Sequence, residues 1–305
     1  MKKRHILYIL FFIVTFFVFD QIIGFTCNKL LSISKSKSLG KELFILNKDS
    51  SDLFVFGSSR AEYHYNTLIL RDSCAVSTFN AGKSGNGIYY SYMLFSALLN
   101  RFHPKYVILD VTESDIYGIG TNGFSLQGVI NTAKIHYFTN VIIRNFIDVR
   151  TNCFDKISIY INAYRYNSQL LNLLNAAFRE STIIDDLGFK GLSKKNYNVS
   201  INKSDNIDLN EDKLRTLEDF LILGKKNNIK MLLIYSPSAI ILNDTAISIF
   251  NEISKKHEVP FLNFSKDSMS IKEYDFSDNT HLSIEGANKF THDIVPYIKN
   301  MINEK

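Results

Sequence analysis

Leu53-Phe54-Val55-Phe56-Gly57-Ser58-Ser59-Arg60 is a short apolar run that stops on a glycine and two serines. Large apolar and β-branched residues in such a run predict a strand, and the glycine-serine stop predicts a turn into a helix. Ser59 then stands at the carboxyl end of a strand, where α/β enzymes keep their reacting groups.

Similar β-type runs recur at 76–79, 106–109, 231–235 and 261–264. Helical periodicity fills 88–99, 211–226, 246–256 and 284–302. Strands alternating with helices of this length predict a parallel sheet covered on both faces, a three-layer α/β/α sandwich.

A serine hydroxyl is a weak nucleophile unless a base takes its proton and a third group orients that base. Asp278-Asn279-Thr280-His281 supplies both partners more than two hundred residues later. The i, i+3 spacing lets one turn present the carboxylate to one imidazole nitrogen and leave the other free. Ser59, His281 and Asp278 are therefore the candidate catalytic residues, and the chain reads as an enzyme.

These residues carry a resemblance. The chain resembles the SGNH hydrolases, the GDSL-type esterases and lipases, whose fold is flavodoxin-like. Gly57-Ser58-Ser59 is similar to their Gly-Asp-Ser block, with Ser58 where aspartate is usual. Asn80-Ala81-Gly82-Lys83-Ser84-Gly85-Asn86 is similar to their glycine loop. Thr112-Glu113-Ser114-Asp115 stands where they have Gly-x-Asn-Asp, and Asp278-x-x-His281 matches their last block. The resemblance implies that Gly85, with Gly82 as second choice, lends an N–H to an oxyanion hole, helped by Ser114 or Asn86. Phrases such as His64-Tyr65-Asn66 and Tyr164-Arg165-Tyr166-Asn167-Ser168 also resemble a membrane-anchored branch common in Bacteroidota. Arg60 and His64, just past Ser59, are candidate contacts for a substrate oxygen or anion.

The resemblance implies a serine esterase or O-acyltransferase acting on an acylated carbohydrate or other ester, with acetyl esters of cell-envelope glycans as the expected class. A multispanning acyl-donor partner is the expectation if the reaction is transfer. The alternative is a catalytically degenerate envelope binding or assembly protein that keeps the fold.

With 305 residues and 46% apolar content the chain can bury a large core. Three of its five net positive charges belong to Lys2, Lys3 and Arg4, so no basic face for nucleic acid is expected. Residues 6–25 are almost wholly apolar and long enough to cross a bilayer, with Asp20 near the far end. The preceding cations predict a cytoplasmic N-terminus and a periplasmic or otherwise extracytoplasmic remainder. A cleaved signal peptide is the alternative, but no Ala-x-Ala-like site follows the run. The expected organisation is an anchor over 1–27, a spacer over 28–51 and one domain over 52–305, with an inserted subdomain at about 117–207 too long for a single crossover. Cys27, Cys74 and Cys153 allow at most one disulfide. The spacing of histidines, cysteines and carboxylates suggests no metal, and no cofactor is expected.

Overall fold

Why the 53–57 run forms a strand is visible in what each side chain meets. The computed structural model describes residues 3–33, 39–118, 125–167, 171, 173–174, 187–194, 202–203, 208–264 and 275–304. β1 (Leu53–Gly57) is buried along its whole length. Phe54 and Phe56 point to one face, with Phe56 5.4 Å from Phe95 and 5.7 Å from Phe220 between ring centroids. Leu53 and Val55 point to the other, into a cluster with Ala61, Tyr65, Leu70, Phe290, Ile294 and Ile298. Burial on both faces is what an unalternating apolar strand requires. Removing Phe56, which is wholly buried, would cost about 3–5 kcal/mol.

β1 pairs in parallel with β2 (Thr78–Asn80) and β3 (Tyr106–Asp110), and the sheet continues through β4 (Lys230–Tyr235) and β5 (Phe261–Asn263). Its order is β2-β1-β3-β4-β5, so the chain reverses direction of travel at β1 and β3. Ligands of open α/β sheets bind at the carboxyl ends of the strands flanking such a point. The Gly57↔Asp110 register aligns the end of β1 with the end of β3.

Helices α3 (Ser59–His64), α4 (Thr67–Cys74) and α12 (Ile284–Asn303) cover the face of Leu53 and Val55. Helices α5 (Ile88–Leu99) and α10 (Glu211–Lys226) cover the other, with α11 (Asp244–His257) against α10. The three-layer α/β/α sandwich with a parallel sheet is the fold. Side-chain oxygens of Asn210, Asn243 and Ser283 cap α10, α11 and α12, accepting from Lys213, Ala246 and Gly286 N–H groups. The sequence lacked sustained periodicity for two further helices, α2 (Leu39–Asn47) and α4. The first falls in the stretch read as a spacer. A two-residue parallel pair, Asn202–Lys203 with Ile240–Ile241, lies apart from the main sheet.

The chain divides into two compact units, Lys41–Val129 with Ile183–Lys305, and Met1–Gly40 with Ile130–Thr182. The first holds the sheet. The second holds α1 (Lys3–Ile33), the end of α6 (Leu126–Ala133), α7 (Val141–Asp148), α8 (Cys153–Tyr160) and α9 (Asn162–Tyr166). Part of the long insertion therefore groups with the N-terminal helix. Arg165 and Tyr166 are buried within that unit, and Ser168 falls outside the described residues. α1 carries an apolar span long enough to cross a membrane, with its side chains largely exposed from Ile6 to Phe19. All three cysteines are free thiols.

Candidate active site

Gly57 makes the exit from β1 possible. Its φ of +139° is disfavoured for a residue with a side chain, and a Cβ there would lie 2.6 Å from the Asp110 carbonyl oxygen. The chain turns at once into α3, whose first residue is Ser59. As the first residue of a helix, Ser59 has a backbone N–H with no intrahelical acceptor.

Ser59 Oγ lies 2.7 Å from His281 Nε2, and His281 Nδ1 lies 2.9 Å from Asp278 Oδ2. Ionised Asp278 only accepts, so Nδ1 carries the proton and Nε2 presents a lone pair to the Ser59 hydroxyl. Asp278 also accepts from the Thr280 N–H at 2.8 Å, the Thr280 hydroxyl at 3.0 Å and the His281 N–H at 2.9 Å. Partial burial alone would raise its pKa, but bonds from His281 and the Thr280 backbone outweigh that and hold it below the usual carboxylate value. The Tyr63 and His281 rings pack nearly perpendicular, 5.2 Å between centroids. Asp278 stays charged and orients the His281 ring toward Ser59, the arrangement that activates a serine.

The glycine loop distinguishes its two candidates. Ala81, Gly82, Lys83, Ser84 and Asn86 give their N–H groups to Val55 O, Asn80 Oδ1, Gly57 O, Glu62 Oε2 and Lys83 O respectively. Gly82 is therefore committed. Gly85 is exposed, has φ +74°, and its N–H has no partner among the described residues. Asn86 is buried, with Nδ2 donating to Ser84 O at 3.1 Å and Oδ1 lacking a partner. Ser114 sits in the turn Glu113–Asp115 after β3, half-buried, its carbonyl accepting from Lys213 Nζ at 2.8 Å.

Two expected substrate contacts face inward. Arg60 is 4% exposed; its guanidinium donates to Val111 O, pairs with Asp110 at 3.5 Å and lies 3.8 Å over the Tyr235 ring. His64 is fully buried, with Nδ1 on Ser236 Oγ at 2.9 Å and Nε2 accepting from the Leu282 N–H at 3.0 Å. Burial, then the Arg60 charge, hold the His64 pKa well below its ordinary value, so the ring is neutral. The reading of Arg60 and His64 as substrate contacts is corrected. They lie in the layer beneath Ser59 and His281, His64 bonding the backbone of the residue after His281.

Sequence reading missed three supports. Asp115 accepts from Ile88 N at 2.7 Å and Thr112 N at 2.8 Å, tying the start of α5 to the loop after β3. Lys41 of α2 donates to the carbonyls of Gly82 at 2.6 Å and Gly188 at 3.0 Å. Glu42, beside it, pairs with Lys83 and accepts from the Tyr90 hydroxyl at 2.9 Å. The signal for α2 was slight, because a nine-residue helix beginning Leu-Gly shows little periodicity.

No protein-family model matches the chain, and no curated protein matches it by sequence. Among solved structures it is similar to the psychrotrophic esterase EstA from a Pseudoalteromonas species, captured with monoethylphosphonate. That likeness has a TM-score of 0.43 and 11% identity over 83% of this chain and 100% of that one. It is also similar to a protein described as an acylhydrolase from Bacteroides fragilis, with a TM-score of 0.41 and 12% identity over 84% and 94%. At these scores the likeness decides neither fold nor chemistry; the chain's own residues must.

Proposed function

We propose that this chain is a divergent SGNH-type serine esterase or O-acyltransferase, held to a membrane by α1. The observation that carries the reading is the unbroken hydrogen-bond relay from Ser59 through His281 to Asp278, at 2.7 and 2.9 Å. Ser59 Oγ attacks the ester carbonyl carbon while its proton passes to His281 Nε2. The oxyanion accepts from the Ser59 and Gly85 N–H groups. His281 then protonates the departing alcohol, leaving the acyl group on Ser59. Water attacks next and releases the acid, or a sugar hydroxyl attacks and becomes the new ester. In either case His281 takes the incoming proton and returns it to Ser59.

The exposed apolar helix behind Lys3 and Arg4 supports an anchor with its C-terminal side outside the cytoplasm. An enzyme so tethered meets acylated glycans of the envelope, and acetyl esters of these are the substrate class we assign. The test is labelling of the detergent-solubilised full chain with a fluorophosphonate probe. Wild type should label, and Ser59→Ala and His281→Ala should not. A folded wild type that stays unlabelled would replace this reading with a non-catalytic binding role.

A further inference from the structure

Asp20 is a carboxylate inside an otherwise apolar helical span, where an uncompensated charge is costly. It is 5% exposed because α9 closes over it. Its oxygens accept from the Asn162 N–H at 3.0 Å, the Ala163 N–H at 2.8 Å and Asn162 Nδ2 at 2.9 Å. Arg165 donates to the Asn162 side-chain oxygen, bringing a positive charge into the same network. One turn on, a Cβ at Gly24 would overlap the Asn162 side chain at 2.4 Å, so glycine admits α9 at this distance. Two turns on, the Tyr166 hydroxyl donates to Asn28 Oδ1 at 2.7 Å. Asp20, Gly24, Cys27 and Leu31 are thus a buried stripe at helical spacing, and α9 runs along it.

Height along α1 locates this docked segment. If residues 6–25 fill the hydrocarbon core, Asp20 lies roughly 7 Å inside its far edge and Asn28 roughly 5 Å beyond it. Ile22, Ile23 and Phe25, at the same height on the uncovered side, are apolar and exposed. The outer surface of the docked segment therefore meets the same medium. Apolar and aromatic side chains stand exposed on it: Phe138 is 52% exposed, Ile157 53%, Tyr160 61% and Tyr164 59%. Phe138 and Tyr160 pack edge to face at 5.7 Å, and Arg165 lies 4.8 Å over the Phe138 ring from within. Tyrosines and phenylalanines exposed on a segment that packs beside the end of the apolar span suit the boundary between hydrocarbon and headgroups.

We propose that residues 134–166 form a collar on the anchor, immersed at the membrane-water boundary, with Phe138, Ile157, Tyr160 and Tyr164 facing lipid. The collar rests on the anchoring reading of α1 but goes beyond it, because a bare anchor leaves the insertion in water. The chain has no tryptophan, so a single introduced indole reports its own surroundings. Full-length Phe16→Trp, Ile157→Trp and Tyr160→Trp proteins would be reconstituted in phosphatidylcholine vesicles whose acyl chains are brominated near the headgroup or near their ends. Phe16→Trp should be quenched at least twofold, more by deep bromines. Ile157→Trp and Tyr160→Trp should also be quenched at least twofold, but more by shallow bromines. Quenching of Phe16→Trp with neither collar position quenched would overturn the collar while keeping the anchor, and would leave that face to a protein partner. Vesicles that float without protein, or an unquenched Phe16→Trp, would remove the anchor and the collar with it.

Discussion

Two histidines whose rings lie 6.4 Å apart have opposite fates. His281 is partly exposed, with one nitrogen on Asp278 and the other on Ser59. His64 is sealed in, neutral, with both nitrogens used by the scaffold. The same contrast separates neighbours in sequence, for Ser59 faces His281 while Arg60 is held beneath by Asp110 and Val111. The proposed chemistry occupies the rim, where the His281 side chain reaches solvent. The layer below is fixed because a change of charge there is expensive.

The largest effect that would break this contrast concerns the rim. His281→Ala should lower the fluorophosphonate labelling rate by about 10⁴-fold while moving the urea midpoint little. A large loss of stability instead would place His281 with the scaffold. Next comes the buried pair: Asp110→Ala should destabilise by about 3–5 kcal/mol, since it leaves Arg60 charged and uncompensated. The double variant Arg60→Met with Asp110→Leu should recover part of that in the same urea titration. If it recovers nothing, hydrogen bonding to Tyr65 matters more than charge.

Lys41 sharpens the comparison through pH. Burial pulls its pKa from 10.5 down to about 8, against the opposing charge of Glu62. Between those values the unfolded chain binds more protons than the folded one, so wild-type stability rises with pH. Relative to Lys41→Met, wild type should gain about 3 kcal/mol between pH 8 and 10.5, with a flat difference below pH 8, read from paired urea titrations. A flat difference throughout would mean that Lys41 is already neutral or well solvated. The smallest effect is His64→Ala, which leaves the Leu282 N–H without its acceptor and should cost about 2 kcal/mol. Labelling per folded molecule should fall less than tenfold. A fall matching that of His281→Ala would show that the layers are not separate.

Much of this was legible in the residues. Strands and helices around the sheet follow from unalternating apolar runs and periodic stretches, which local physics determines. The pairing of Ser59 with Asp278 and His281 was also legible, because each needs the others to be useful. The direction of Arg60 and His64 was not. They share one side of a six-residue helix, and which side faces the sheet depends on Asp110 arriving opposite Gly57, a register set by long-range pairing. Gly85 stood ahead of Gly82 by resemblance alone, and the bond that occupies the Gly82 N–H, on Asn80 Oδ1, was not legible either. Asp20 could be seen as anomalous, but its partner lies 142 residues away.

The distance in sequence between Ser59 and His281, 222 residues, has a consequence for the life of the chain. The strand that presents the serine is synthesised well before the loop bearing the histidine. Until that loop docks, Ser59 has no base and is an ordinary alcohol. Loop closure over such a span comes after local structure has formed. A chain in which that contact has not formed accordingly has no proton acceptor on the Ser59 hydroxyl.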